Sequence, residues 1–409
     1  MKKGLVLLMV LAMLLFTVSA FAAEPIKIGA VNPLGDITGA QATKAMQLAV
    51  KEINEAGGVL GRPLELIVID SELNPEKGAA AIDRLATVNE VDFFVGGMSS
   101  SVHLAQIPIL KKYENITIWI GAASYLAEEA IGPDADWYFH LHPWDYQQGA
   151  SYGEGWTAIA EKYTDLDVSR VFLAYEEGAF GSASYSAYQT MFAQAQEGEG
   201  AFSDVMDEFA GASFKSAAFG GGDYRAMLQQ AKDFNPDMFL WAGYDADAIP
   251  MLAQAREIGF EPPLFVGAPP GWPADFGDNP LADQVVLYGM WAPSLKEVSP
   301  VAKHFWLAYM AEFGEQPATY FAPLGYTNIY FLAEGIKQAG SMDKDAIIAA
   351  LREIEYESPL GTTLKIAPSN IISNQGFTRQ KILQWQDGVQ QVIWPFEVST
   401  AELEFPFSW

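Results

Sequence analysis

Two short stretches carry the residue types of a ligand receptor. The first, Gly96-Gly97-Met98-Ser99-Ser100-Ser101, follows the apolar run Val91–Val95 and precedes a helical pattern over Val102–Lys112. The first backbone N–H groups of a helix lack internal partners, and aligned peptide dipoles favour negative charge there. A strand, a glycine turn and a hydroxyl-rich helix start therefore make a receptor for an anion or a dipole. The plainer reading is that Ser99 or Ser100 caps the helix. The second stretch, Gly121-Ala122-Ala123-Ser124, ends another buried strand, Ile116–Ile120. Two adjacent strand ends built of small residues line one crevice at the carboxyl edge of an open α/β sheet.

Other chemistry finds little support. The four histidines are His103, His140, His142 and His304, with no H-E-x-x-H pair, no G-x-S-x-G elbow and no Walker loop. His103 lies four residues past Ser99, a spacing that reaches the cleft rim but does not aim the imidazole at Ser99 Oγ as in a triad. His140 and His142 fall on one face of a strand, as a metal pair or as a polar pair lining a hinge. Gly220-Gly221-Gly222 has no basic residue after it and reads as a flexible loop. Asn115-Ile116-Thr117 matches a glycosylation sequon by chance. The chain has no cysteine, which excludes disulfides, thiolate metal sites and a cysteine nucleophile. No catalytic residue, cofactor or metal is expected.

The 409 residues are half hydrophobic, enough for two or more domains with full cores. The net charge of −27 opposes nucleic-acid binding and repels anionic membrane surfaces. With seven arginines, a strongly anionic ligand would find few bidentate partners. Lys2-Lys3, the apolar run Leu5–Phe16 and Ala20-Phe21-Ala22 form a signal peptide cleaved after Ala22 or Ala23. The alternative, an uncleaved anchor, would rest on an apolar run short for a span. With no cysteine for lipid attachment, the mature chain is expected free in a periplasm.

Strand and helix patterns alternate along the chain. Ile26–Val31, Leu64–Asp70, Val91–Val95 and Ile116–Ile120 read as strands, with helices over Ala42–Ala56 and from Asn74-Pro75 to about Asn89 between them. This order predicts a parallel sheet with right-handed crossovers. Asp134–Gly149, crowded with His140, His142, Pro143, Trp144 and Tyr146, has no clear period. A second α/β lobe follows, with strands at Arg170–Tyr175, Met238–Ala242, Leu264–Gly267 and Val285–Met290, and with Asp223 as an N-cap. Helices over Pro300–Phe313, Ala322–Ala339 and Lys344–Glu353 come next, then a hairpin around Asp387-Gly388. The aromatic tail Val398–Trp409 is uncommitted.

Several segments taken together resemble the periplasmic solute-binding proteins of the branched-chain amino acid type, which serve ABC transporters. They include Ala49–Gly58, Gly61-Arg62-Pro63-Leu64, Asp70 with Asn74-Pro75, Gly96–Ser100, Ala255–Phe260, Gly325-Tyr326 and Ala339-Gly340-Ser341. The resemblance spans roughly Glu24 to Trp394. It implies a type I periplasmic binding fold: two Rossmann-like α/β lobes with parallel central sheets, joined by a three-strand hinge, with the ligand cleft between. The implied division places residues 1–22 in the signal, 24–143 plus 292–378 in the first lobe, and 144–291 plus 379–409 in the second.

By the same resemblance, Ser99, with Ser100 beside it, and the turn Ala122, Ala123 and Ser124 read a ligand carboxylate. Thr38 packs on the ligand from the first lobe, and Phe180 and Tyr244 close from the second. One departure stands out. Amino-acid binders of this family place an acidic residue, partner of the ligand ammonium, in the turn that here reads Gly267-Ala268-Pro269-Pro270-Gly271-Trp272. Either Asp245 or Asp247 substitutes, or the ligand carries no ammonium, and Trp272, Tyr125, Trp144 and Trp291 line an apolar pocket. The expected function is hinge-closing capture of a small ligand, a hydrophobic or branched-chain amino acid or a related carboxylate or amide, by a monomer that delivers it to an ABC permease. A sensor domain and a periplasmic hydrolase are the other classes considered.

Overall fold

The structure is a computed structural model that describes residues 24–268, 272 and 275–409. The expected signal peptide and the Pro269-Pro270-Gly271 turn lie outside the described residues.

The first half runs β1 (Ile26–Asn32), α1 (Ile37–Glu55), β2 (Leu64–Asp70), α2 (Pro75–Thr87), β3 (Phe93–Gly96), α3 (Ser100–Tyr113), β4 (Thr117–Trp119), α4 (Tyr125–Ile131) and β5 (Tyr138–His140). Its five strands pair in parallel in the order β2-β1-β3-β4-β5. The sequence signals for these helices have a visible cause. Asp36 caps α1 by accepting the Thr38 N–H at 2.8 Å, and Asn74 caps α2 through the Lys77 N–H at 3.0 Å, with Pro75 at the first helical position. β3 is buried along its whole length, as its unbroken apolar run demands.

The second half runs α5 (Asp145–Lys162), β6 (Arg170–Glu176), α6 (Ala179–Gln196), β7 (Glu208–Phe214), α7 (Arg225–Phe234), β8 (Met238–Ala242), α8 (Asp245–Glu257), β9 (Leu264–Gly267) and β10 (Val286–Gly289). Then come α9 (Pro300–Phe313), α10 (Phe321–Ala339), α11 (Lys344–Glu353), the short pair β11 (Tyr356–Glu357) and β12 (Thr363–Leu364), and the hairpin β13 (Lys381–Gln386) with β14 (Val389–Trp394). The second sheet is ordered β14-β13-β10-β9-β8-β6-β7, parallel except where the hairpin joins β10. α10 lies along α1 on the first lobe, so the chain returns there before ending in the second sheet. The aromatic tail docks on the second lobe: the Phe407 N–H donates to Pro263 O at 2.8 Å, and its ring meets Phe265.

Three segments cross between lobes: Leu141–Trp144, Met290–Ala292 and Gly376–Gln380. His140 and Gln375 form a bridge beside two of them, and the Gly376 N–H donates to His140 O at 2.8 Å. Four strands escaped the sequence pattern, two of them the two-residue pair β11 and β12. β5 is three residues long, too short to show a period. β7 is an edge strand of small residues, where Gly211 allows Leu173 and Tyr185 to approach. The N-cap position of α7 is Tyr224 instead of Asp223. Among the described residues, no helix is long and apolar enough to cross a membrane.

Candidate functional site

Each sheet reverses its strand order once, between β1 and β3 in the first and between β6 and β8 in the second. Loops at the carboxyl ends of strands near such points face a common crevice. The turns after β3, β4, β6 and β8 meet here around a cavity of about 30 Å³. Ser99, Ser100, Ala122 and Ala123 line it from the first lobe and Phe180 and Tyr244 from the second. That volume suits two or three water-sized bodies, so a solute the size of an amino acid enters only when the lobes part.

The two first-lobe turns are tied together. The Ala122 N–H donates to Met98 O at 2.8 Å, and the Ser124 N–H donates to Ser100 Oγ at 3.3 Å. Their glycines are steric necessities. A Cβ on Gly97 would stand 1.9 Å from the Trp119 indole, and one on Gly121 would stand 2.8 Å from Gly97 O. Ser99 occupies the N-cap position of α3, yet its side chain makes no cap hydrogen bond. Its Oγ is buried and has no partner at hydrogen-bond geometry, although the Tyr244 hydroxyl faces it closely from the other lobe. The capping alternative therefore fails for Ser99, whose hydroxyl is left for the cavity. Ser124 does cap: its Oγ accepts the Leu126 N–H at 3.3 Å, behind the cavity wall.

Phe180 is positioned by Glu176, whose carboxylate accepts the Gly178 and Gly181 N–H groups on either side of it. Burial raises the Glu176 carboxyl above its usual range despite those two donors. Asp247 positions Tyr244. Its carboxylate accepts the Tyr244 N–H at 2.8 Å, the Ala217 N–H at 2.7 Å and the Ser216 and Tyr224 hydroxyls.

Besides Ser124, four expected site residues stand elsewhere. Thr38 is buried in the first turn of α1, with its N–H and hydroxyl both on Asp36. Trp272 packs in the second-lobe core against Trp241, Phe276 and Trp385. Asp245 lines the cleft mouth with Asp36, Asp70 and Glu72, outside the cavity. Asp247, saturated with donors, is a structural cap. Of the other aromatics considered, Trp144 stacks on His140 at 3.7 Å and Trp291 packs on Phe305. Neither lines the cavity.

The rest of the wall was not legible. His142, Gln148, Tyr288, Tyr320, Phe321 and Gln380 stand in it, beside Met98 and Ala268. The first six come from the crossing segments, α5, β10 and the start of α10, with no shared motif. The histidine cluster Asp134–Gly149 was the one signal pointing there.

Burial holds all three inner histidines neutral, His103 and His142 at about 3 and His140 at about 4. His103 is core and not at the rim: it stacks on Trp119 at 4.8 Å, and its Nε2 lies 2.8 Å from the Tyr138 hydroxyl. His140 and His142 line the hinge. Among the described residues, no group of three or more metal-ligating side chains converges.

The profile of periplasmic binding proteins matches residues 25–388, which covers both lobes of this clamp. The chain belongs to the periplasmic binding protein family. A leucine-, isoleucine-, valine-, threonine- and alanine-binding protein of Pseudomonas aeruginosa is 26% identical to this periplasmic binding protein over 363 residues, covering 85% of this chain and 87% of its own. An isoleucine-bound substrate-binding protein of a branched-chain amino acid transporter from Streptococcus pneumoniae superposes with a TM-score of 0.72 at 22% identity, covering 93% of this chain and all of its own. A benzoate-bound solute-binding protein of an ABC transporter from R. palustris superposes with a TM-score of 0.73 at 17% identity, covering 90% and 95%. The members of this family are binding proteins, and the fold here is theirs.

Proposed function

We propose that this periplasmic binding protein captures a small solute outside the cytoplasm and delivers it to the permease of an ABC transporter. The observation that carries this reading is the cavity itself, whose opposite walls belong to opposite lobes and whose first-lobe wall holds the free Ser99 hydroxyl. A solute docks on Ser99 and the Ala122–Ala123 turn while the lobes are apart. Phe180 and Tyr244 then close over it about the three crossings. Ligand shifts the open–closed balance only through contacts better made in the closed form. The lobes would comprise residues 24–143 plus 292–378 and 144–291 plus 379–409, acting as a monomer. The ligand range named for the similar proteins, from branched-chain amino acids to benzoate, supports a small hydrophobic amino acid or a related carboxylate or amide.

The test is a thermal-shift screen of the purified mature chain against a solute library. Any tight binder raises the midpoint by mass action. A hit should also contract the molecule in small-angle X-ray scattering. If hits raise the midpoint without contraction, hinge closure is wrong. If no solute raises it, capture is wrong.

A further inference from the structure

The cavity of this clamp is uncharged, and that bears on what it can hold. Among the described residues, none that lines it is Asp, Glu, Lys or Arg. The imidazole in the wall is neutral as well, and its tautomer can be read. His142 Nδ1 lies 2.9 Å from Pro143 O, which only accepts, so Nδ1 carries the proton. Nε2 is then an acceptor, and the Tyr320 hydroxyl at 3.0 Å donates to it. The Gln380 amide donates to one lone pair of the Tyr320 oxygen, which leaves the other at this end of the cavity wall. The carboxamide oxygen of Gln380 already receives the Tyr152 hydroxyl.

The near end is different in kind. Ser99 Oγ, buried and unpaired, sits at the N-terminus of the fourteen-residue α3. This end offers donors and a favourable dipole to an anion. The cavity therefore welcomes a negative group at one end and has no counter-charge for a positive one. Two carboxylates come near without lining it: Glu176, close to Tyr244, is engaged by the Gly178 and Gly181 N–H groups, and Asp145 lines an adjoining chamber that shares Gln148, Phe180 and Tyr288 with the cavity. The Asp145 oxygens accept the Tyr125 and Tyr146 N–H groups. An ammonium in the cavity would lose its hydration without gaining an anion.

Resting on the capture function above, we infer that the ligand is a carboxylate without an α-ammonium group, with an apolar body against Phe180 and Phe321 and a neutral hydroxyl at its far end. The carboxylate meets Ser99 and the α3 terminus. The hydroxyl donates to the Tyr320 oxygen and accepts from the Gln380 amide.

Calorimetry with matched pairs isolates the ammonium: phenylalanine against phenylpropionate, tyrosine against hydroxyphenylpropionate, and leucine against isocaproate. The expected result is that each deaminated acid binds roughly tenfold or more tighter than its amino acid, with hydroxyphenylpropionate the tightest. Amino acids binding as well as or better than their partners would overturn the inference and leave capture intact. Loss of that binding in Asp145→Asn would then name Asp145 as the ammonium partner. Silence from all six probes also overturns the class. Capture survives in that case if the library screen finds a different solute whose effect disappears in Ser99→Ala, and falls if it finds none.

Discussion

His142 and Tyr320, 178 residues apart in sequence, meet at 3.0 Å in the cavity wall, with the tyrosine hydroxyl donating to Nε2. The contact joins a crossing segment to the start of α10 and fixes both hydrogen-bonding roles at the far end of the site. Tyr320→Phe leaves a buried imidazole nitrogen unpaired. It should lower folding stability by about 1–3 kcal/mol, read as a shift in the urea midpoint. A midpoint unchanged from wild type would mean that water or another group replaces the hydroxyl.

Ser99 and Ser124 are both N-cap serines, and they should respond oppositely to truncation. Ser124 Oγ holds the Leu126 N–H, so Ser124→Ala should cost about 1 kcal/mol of stability. Ser99 caps nothing. Ser99→Ala should leave stability within about 0.5 kcal/mol and weaken ligand binding by about 1.5–3 kcal/mol, the range for a hydrogen bond to a charged group. Thermal melts with and without ligand measure both effects, and a Ser99 variant that melts lower while binding normally reverses the assignment.

Gly97 sits at φ +83° against the Trp119 indole. Gly97→Ala adds a left-handed penalty of about 1–2 kcal/mol to a clash that the buried indole cannot relieve. The variant should unfold at markedly lower denaturant or fail to accumulate. Gly57→Ala is the control: the same sign of φ, but no atom within 4 Å of the added Cβ. It should lose only the conformational penalty. Equal losses in the two variants would show that Trp119 moves aside.

Stability against pH has opposing contributions whose signs are definite. An unfolded histidine takes up a proton near 6.5, while folded His103, His140 and His142 resist until about 3, 4 and 3. Between those limits the unfolded chain binds more protons, so this contribution makes stability rise with pH and fade as pH falls below 6.5. Asp145, which burial raises from 3.8 to about 7, works the other way, because the folded chain holds a proton there that the unfolded chain releases. Asp245 and Glu176 are raised too. Asp145→Asn should therefore steepen the rise in stability between pH 5 and 6 by close to one proton, about 1.4 kcal/mol per pH unit. Parallel urea series at the two pH values decide it, and identical slopes in wild type and variant would refute it.

Across the cleft mouth, Asp245 of the second lobe faces Asp36 of the first, with Asp70 and Glu72 lining the same opening and Asp247 behind. Burial and the Asp36 carboxylate raise Asp245 to about 7. Parting the lobes returns it to water and towards its ordinary range, so closure takes up a proton. Closure should be easiest below about pH 4 and progressively harder as pH rises to 7. Asp245→Asn should strengthen ligand binding at pH 8 and leave it unchanged at pH 4. A titration of affinity in which the variant tracks wild type at both pH values would contradict this.

Much of this molecule was legible because its signals are local. Buried parallel strands need unbroken apolar runs, helix starts need groups such as Asp36 and Asn74 to satisfy free N–H donors, and glycines are needed where two turns press together. Those requirements act within a few residues, so the sequence by itself determined the α/β alternation and the paired turns at Gly96–Ser100 and Gly121–Ser124, while Phe180 and Tyr244 came from the family resemblance. Tertiary structure decided the rest. Whether Ser99 caps a helix or faces a cavity depends on a side-chain direction that Ser124, of the same type, takes differently. Thr38 and Asp247 looked available as ligand contacts, but the Asp36 cap of its own helix engages Thr38, and Ser216, Ala217 and Tyr224 engage Asp247. His142, Tyr320 and Gln380 are brought together only when two crossings and the start of α10 converge. A cavity wall assembled from separate elements has no period or motif, because its residues answer to the packing between lobes and not to their neighbours in the chain.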